Sequence, residues 1–318
     1  MTLVKLSKSN FSIQLLTLLI IGSFFTFHSC SNRAEPNFER YNTGIDFDLH
    51  TIEVFNDILY TTGGDVWSLS QLSKSSDGIN WKVDSLSNKS IFDLLITENN
   101  IYGVGVDGYI FSGNPIEFHR TKYWGILHAI EQSSNGFVAV GGKNWNKGYI
   151  YTLNRELTID TTFTYDHELS SVAMAPDGTL TAVGYGIILT STDDGYSWSR
   201  EEVDGDFYNS IAYNSEGVGY IIGNSGNILI SYNNGKTWDT KKSGYSLWNK
   251  KTMRKIVFDD SLQGVIVGKK GLILKTLDGG KTWENISIST INNFYDATIF
   301  KNQIIIASNA GIVYKINL

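Results

Sequence analysis

Three stretches of the chain, VGYGIILTSTDDGYSW (Val183–Trp198), IGNSGNILISYNNGKTW (Ile222–Trp238) and VGKKGLILKTLDGGKTW (Val267–Trp283), align with one another. Their closing tryptophans lie 40 and 45 residues apart, the length of a four-stranded propeller blade. A weaker copy, TGGDVWSLSQLSKSSDGINW, ends at Trp81 with Gly78 and Trp81 in register, and the 117 residues from Trp81 to Trp198 leave room for three repeats. Two degenerate copies fill that interval, VGVDGYIFSGNPIEF around Gly105 to Phe118 and VGGKNWNKGYIYTLNREL around Gly141 to Leu157. A last copy, ASNAGIVYKINL, runs to Leu318, which brings the count to seven. The expectation is an all-β chain folded as a seven-bladed β-propeller of four-stranded antiparallel blades over residues 42–318.

Alternation of apolar and polar residues between Gly and Asn turns divides each unit into strands. From Tyr208 to Thr240 these are YNSIAYN, VGYIIG, NILISY and KTWDT. The final unit has FYDATIF, QIIIAS and GIVYKI and stops one strand short, so NFERYNT (Asn37–Thr43) is expected to supply its outer strand. Closure of this kind removes the unpaired edge and bare apolar face that an open blade would present.

The octet at the end of each strong copy resembles the Asp box, or BNR repeat, SxDxGx[ST]W, of sialidases, sortilin-type receptors and the photosystem II assembly factor family. Ser191, Asp193, Gly195, Ser197 and Trp198 match it fully. Thr276, Asp278, Gly280, Thr282 and Trp283 match with Thr for Ser, and Ser231, Asn233, Gly235, Thr237 and Trp238 match with Asn for Asp. In the copy ending at Trp81, Lys74 and Ser76 stand at the Ser and Asp positions, which reads as a degenerate box. The phrase GxILxTxDGGxTW is most similar to the assembly-factor type, and that resemblance implies a scaffold or assembly role. The octet's chemistry is that of a hairpin turn: Asp and Ser/Thr side chains accept hydrogen bonds from turn amides, Gly takes positive φ, and Trp packs between sheets.

The N-terminus has the tripartite plan of a secretory leader. Lys5 and Lys8 precede an uncharged apolar run from Phe11 to Phe27, which ends at Cys30, the only cysteine of 318 residues. Phe27-His28-Ser29-Cys30 resembles the lipobox of bacterial lipoproteins, with His28 atypical, and implies a leader over 1–29, a diacylglyceryl group on Cys30 and a polar tether over 30–41. An uncleaved transmembrane anchor is the competing reading, since a run of this length almost spans a bilayer. The expected location is the bacterial cell envelope, lipid-anchored at the outer membrane. Without residues 1–29 the chain holds 24 basic against 32 acidic residues, a formal charge of −8, which disfavours nucleic acid as a partner.

Other motifs carry less. Gly103, Gly105 and Gly108 spell GxGxxG, but no helix follows and the glycines align with a second strand and hairpin. Sialidase chemistry needs three converging arginines; of six in the mature chain, Arg33 and Arg40 lie in or beside the tether, Arg155 and Arg200 on outer strands, and only Arg120 and Arg254 near inner strands. A two-carboxylate glycosidase is the alternative function, using Asp93, Asp166, Glu168 and Asp296 near the starts of inner strands. Histidines 50, 119, 128 and 167 show no metal-ligand spacing, and neither a metal nor a cofactor is expected.

Connections from an outer strand to the next inner strand all open on the face opposite the Asp-box turns. They carry Tyr123 and Trp124, Phe163 and Tyr165, Phe207 and Tyr208, Tyr245 and Trp248, Phe294 and Tyr295. Such a ring suits a protein segment or a glycan, because Tyr and Trp combine apolar area with a polar tip; alternatively the rings seal each blade against its neighbour. Lys241–Lys255 adds six bases, Lys250, Lys251 and Arg254 among them, which reads either as a docking patch for an acidic partner or lipid headgroup or as a solvated loop. The leading functional expectation is a non-catalytic envelope lipoprotein that binds a protein or glycan.

Overall fold

Within each blade, consecutive strands pair antiparallel across connections of two to seven residues, as short connections require. The computed structural model describes residues 36–113, 117–241, 252–259 and 262–318; Cys30, the leader, Tyr245, Trp248, Lys250 and Lys251 lie outside them. Five four-stranded sheets form: Leu49–Phe55 to Lys82–Ser87, Ile91–Ile96 to Glu117–Arg120, Ile126–Gln132 to Ile159–Tyr165, Met253–Phe258 to Glu284–Asn285, and the closing sheet. In the closing sheet Phe38–Asn42 lies outermost, with Phe38 opposite Ile316 and Asn42 opposite Ile312. The architecture is an all-β propeller of four-stranded antiparallel blades.

The expected count of seven separate blades needs correction: five are four-stranded, and the six strands of Leu169–Lys241 are hydrogen-bonded into one sheet. The reason is continuity of the backbone. Ser199–Tyr213 runs as a single strand of 15 residues, pairing through Ser199–Glu202 and Phe207 with Leu180–Ser191, and through Tyr208–Tyr213 with Gly219–Gly223. No turn interrupts it where a separate blade would begin. Leu180–Ser191 likewise bends without breaking, at Gly186 with φ +63°.

The innermost strands surround a central channel. Each carries one extra residue near its start, a β-bulge, at His50, Phe92, His128, Ser170, Asn209, Arg254 and Tyr295. A bulge re-aims its side chain and bends the strand, which here sets those residues around the channel mouth. It also presses the inner backbone onto its neighbour, and this explains the glycine of the recurring VG and IG pairs. A Cβ on Gly105 would lie 1.9 Å from the Ser90 carbonyl, and one on Gly184 would lie 1.9 Å from that of Glu168. Gly105 therefore belongs to a bulge contact, not to a nucleotide loop.

Between sheets the core is aliphatic with aromatic wedges. Val183, Ile188, Ile211, Ile221 and Leu229 form one buried cluster against which Trp238 packs, and Val265, Ile273, Ala297, Ile304 and Ile306 belong to another. Each fully buried branched side chain contributes about 1.5–3 kcal/mol, and these clusters replace the disulfides that a chain with one cysteine lacks. Among the described residues the only helical turns are three short 3₁₀ segments.

Candidate binding face

The two ends of the ring are built from different chemistry. At one end lie the Asp-box turns. Ser191 Oγ accepts from the Gly195 amide at 2.9 Å, Asp193 accepts from the Ser197 amide at 2.8 Å and hydroxyl at 2.6 Å, and Trp198 Nε1 donates to the Gly195 carbonyl at 3.1 Å. Thr276 and Asp278 repeat the pattern with Gly280 and Thr282. Asn233 substitutes by reversing one bond, its amide donating to the Thr237 hydroxyl at 2.9 Å while Ser231 holds Gly235 and Trp238 Nε1 holds its carbonyl. The box ending at Trp81 is shortened, which corrects the degenerate reading. Ser75 and Asp77 do the work of Lys74 and Ser76: Gly78 donates to Ser75 Oγ at 2.9 Å and Asn80 donates to Asp77 at 2.8 Å. One residue fewer before the glycine hid this register. Its cost is visible at Trp81, whose buried Nε1 finds no partner.

The opposite end carries the bulges, the outer-to-inner connections and the loops between second and third strands. Of the aromatic residues expected to ring it, the structure divides the set. Trp124 is 57% exposed and Arg120 lies 4.7 Å over its ring. Tyr295 stands at the mouth with Arg254 stacked at 4.4 Å and its hydroxyl on Asp48 at 2.7 Å. Tyr208 and Phe294 are buried core residues, a correction that follows from their place directly before the bulge, where the side chain turns inward between sheets. Phe163 and Tyr165 sit on the outer strand Ile159–Tyr165, packed against the core, and not in the connection. Tyr123 stacks on Tyr149 at 4.9 Å, and Phe207 lies 5.7 Å from Tyr185. Of these, Tyr123, Phe163 and Tyr165 pack against buried core clusters.

Sequence reasoning missed the most exposed aromatics of this end. Trp67 (60%) and Trp145 (69%) lie in loops between second and third strands, which open on the same face as the outer-to-inner connections. Trp145 is held at φ +61°, a conformation rare for a bulky residue. Glu168 holds it there: its carboxylate accepts from the Trp145 amide at 2.6 Å, and its own amide donates to the Trp145 carbonyl at 3.1 Å. Only 6% exposed and also bonded to His128 Nε2 at 2.9 Å, Glu168 is a clamp. A signal existed in Gly-Gly-Asp-Val-Trp and Asn-Trp-Asn, where a large apolar residue occupies a turn that favours small polar ones.

Two hollows lie on this face. One of about 660 Å³ at the channel mouth is walled by Phe47, Val66, Phe92 and Tyr295, with Asp46, Asp48 and Asp65 among its polar groups. Another of about 170 Å³ lies between Trp67 and Trp124. Phe92 bridges the mouth histidines, its ring 4.7 Å from His50 and 6.3 Å from His128. Burial holds His50 below its ordinary pKa, with its Nδ1 2.8 Å from the Ile91 carbonyl.

Beneath the mouth, the channel encloses about 360 Å³ and is lined by Glu53, Asp93, Glu131 and Lys255. The four acids proposed for glycoside chemistry separate here. Asp166 is at the surface, bonded to Arg200 at 2.7 Å, and Glu168 is the Trp145 clamp. Asp93 and Asp296 do face inward, but each ties its strand to the next: Asp93 accepts from the Ile130 amide at 2.9 Å, and Asp296 from the Ile52 amide at 3.1 Å and Thr51 hydroxyl at 2.8 Å. Ser171 and Ser210 occupy the equivalent position and accept from Ile211 and Ile256. Lys255 lies 3.5 Å from Asp296. Burial pushes Asp93 up to about 6, Glu131 up to about 7 and Glu53 upward as well, while the surrounding acids raise Lys255. Among the described residues no group of three His, Cys, Asp or Glu side chains is placed to hold a metal ion.

Residues 202–316 match the family described as Photosynthesis system II assembly factor YCF48. The photosystem II assembly lipoprotein Ycf48 of Synechococcus sp. (strain CC9902) is 26% identical over 213 residues, covering 63% of this chain and 60% of that relative's length. Among solved structures, YCF48 bound to a D1 peptide superposes with TM-score 0.65 at 16% identity, over 88% of this chain and 95% of that one. A virginiamycin B lyase from Staphylococcus aureus superposes with TM-score 0.73 at 14% identity, over 89% and 100%. Identities this low establish the fold, which enzymes and binding proteins share. Sequence profile, curated relative and shared architecture together make this chain a propeller like the photosystem II assembly factors.

Proposed function

We propose that this chain is a non-catalytic assembly scaffold, held to an envelope membrane by a lipid on Cys30, that captures a protein segment on the face bearing Trp67, Trp124 and Trp145. The observation that carries this reading is the convergence of exposed indoles on the end of the ring where the channel opens. Solvent-exposed tryptophans of this kind are the residues that dominate binding energy at interfaces. Two similar proteins add support: one is an assembly lipoprotein, and the other was solved with a peptide bound. Hydrolysis by inner-strand acids finds no such support, because Asp93 and Asp296 spend oxygens on the amides of neighbouring strands.

The test is a cross-linking pull-down from detergent-solubilised envelopes, wild type against Trp67→Ala/Trp124→Ala. Loss of a captured protein from the variant, with its melting temperature unchanged, is the expected result; equal capture by both would refute the choice of face. The anchor is tested by Cys30→Ser, which should release the chain from membranes or leave it unprocessed.

A further inference from the structure

We infer that the segment captured on this face is basic: an extended peptide that places a Lys or Arg side chain in the mouth hollow and a large apolar side chain between Trp67 and Trp124. The inference rests on the protein-binding reading above and adds the chemistry of the partner.

Val66 lines the larger hollow and its neighbour Trp67 the smaller, which places the two within one extended segment's reach in the proposal. The smaller, at about 170 Å³, has room for one apolar side chain between its indoles. The larger has apolar walls and a polar rim whose charges do not balance. Arg254 is stacked on Tyr295, and Asp48 beside it answers its charge; Asp48 in turn accepts from Tyr295, Asn309 and the Ala310 amide. Asp65 accepts only from neutral donors, the Trp67 amide at 3.3 Å and Ser68 hydroxyl at 2.5 Å. Asp46 is exposed, and among the described residues neither it nor Asp65 is paired with a cation. Three carboxylates, Asp46, Asp48 and Asp65, thus face this hollow against one guanidinium, that of Arg254.

The surroundings reinforce that sign. The mature chain carries a formal charge of −8. A cleft in which one sign of charge predominates, as the carboxylates do here over Arg254, focuses the field between its low-dielectric walls on a ligand of the other sign. A basic side chain is therefore drawn to the mouth, and its aliphatic stem matches Phe47 and Val66, since Lys and Arg carry apolar stems below their charged heads. An acidic segment meets repulsion at the same place. A neutral glycan makes use of the indoles but leaves the unpaired carboxylates unanswered.

The full-length chain in non-ionic detergent is titrated, by intrinsic tryptophan fluorescence and calorimetry, with three probes: an amidated hexapeptide alternating lysine with phenylalanine, the same peptide with glutamate for lysine, and chitohexaose. The lysine peptide should bind, and Asp46→Lys should weaken it about tenfold while Trp67→Ala weakens it at least as much, each tenfold corresponding to about 1.4 kcal/mol. The affinity of the lysine peptide should also fall with added salt in the wild type and much less in Asp46→Lys. Equal binding of the two peptides, a preference for the glutamate peptide, or indifference to Asp46→Lys overturns the basic partner while leaving protein capture intact. Binding of chitohexaose alone, or of no probe, overturns the inference, and the pull-down above then decides separately whether any protein is captured.

Discussion

The carboxylates of the Asp-box turns and those of the central channel answer to opposite environments. Asp193 and Asp278 accept amide and hydroxyl bonds that favour the charged form, and both are held below the ordinary carboxylate range, as is Asp77 through the amides of Asn80 and Ile79. Glu53, Asp93 and Glu131 lie deep in the channel, where burial disfavours charge and raises them. The same residue type therefore stabilises one end by being ionised and strains the axis by being ionised. The contrast teaches that an acid's role in this ring is set by the supply of N–H donors, which a turn concentrates and a strand shares with its ladder.

The strongest way to break the contrast is to alter the bulge that aims the mouth. Gly105→Ala places a methyl 1.9 Å from the Ser90 carbonyl, and a loss of about 3 kcal/mol or more is expected in chemical denaturation; a shift under 1 kcal/mol would mean the bulge is not what the glycine serves. Next in size is Lys255→Met, which leaves the channel acids without their cation and should cost about 3 kcal/mol at pH 8. Because the folded chain holds protons on raised acids that the unfolded chain has released, their contribution is full below about pH 4 and is lost as pH climbs through 6 to 8. The variant should therefore be closer to wild type at pH 5 than at pH 8, and the reverse order would disprove the account of the channel.

Asp193→Ala tests the other end. It should lose about 1–2 kcal/mol near neutrality, from the bonds to Ser197. Depressed acids contribute stability above the unfolded pKa that is lost as pH falls, so the difference from wild type should shrink towards pH 3, opposite in sign to Lys255→Met. The smallest stability effect belongs to the mouth: Trp67→Ala and Trp124→Ala should stay within about 0.5 kcal/mol of wild type, as exposed substitutions do. A large loss there would return these indoles to a sealing role.

Repeat length, strand order and the closing strand could be read from the residues because they depend on alternation and turn chemistry, both local. The blade count suffered where locality failed: nothing in SREEVDGDFYNSIAY shows that hydrogen bonding continues past Gly205. The bulge escapes a two-residue alternation because its extra residue sets the core-facing side chains three apart, as Tyr208 and Ile211 or Phe294 and Ala297 are. So Tyr208 and Phe294, one residue before it, read as surface aromatics and proved to be core. Two sets of loops open on each end of an up-and-down sheet, so the outer-to-inner connections hold only part of the face, and Trp67 and Trp145 lie in the other set. Lys255, which reads as the last base of the Lys241–Lys255 loop, instead lines the channel, and its place is fixed by acids on strands distant in sequence.

The outer strand of the closing sheet comes from Phe38–Asn42 and its three partners from Phe294–Asn317. Most of the described chain lies between the two halves of that sheet, so its latch cannot engage until the strands from Phe294 to Asn317 have been made. Loop-closure entropy for such a span is settled late, and contacts this distant slow folding. During the interval the strand edge Ile312–Asn317 stands open to any competing strand.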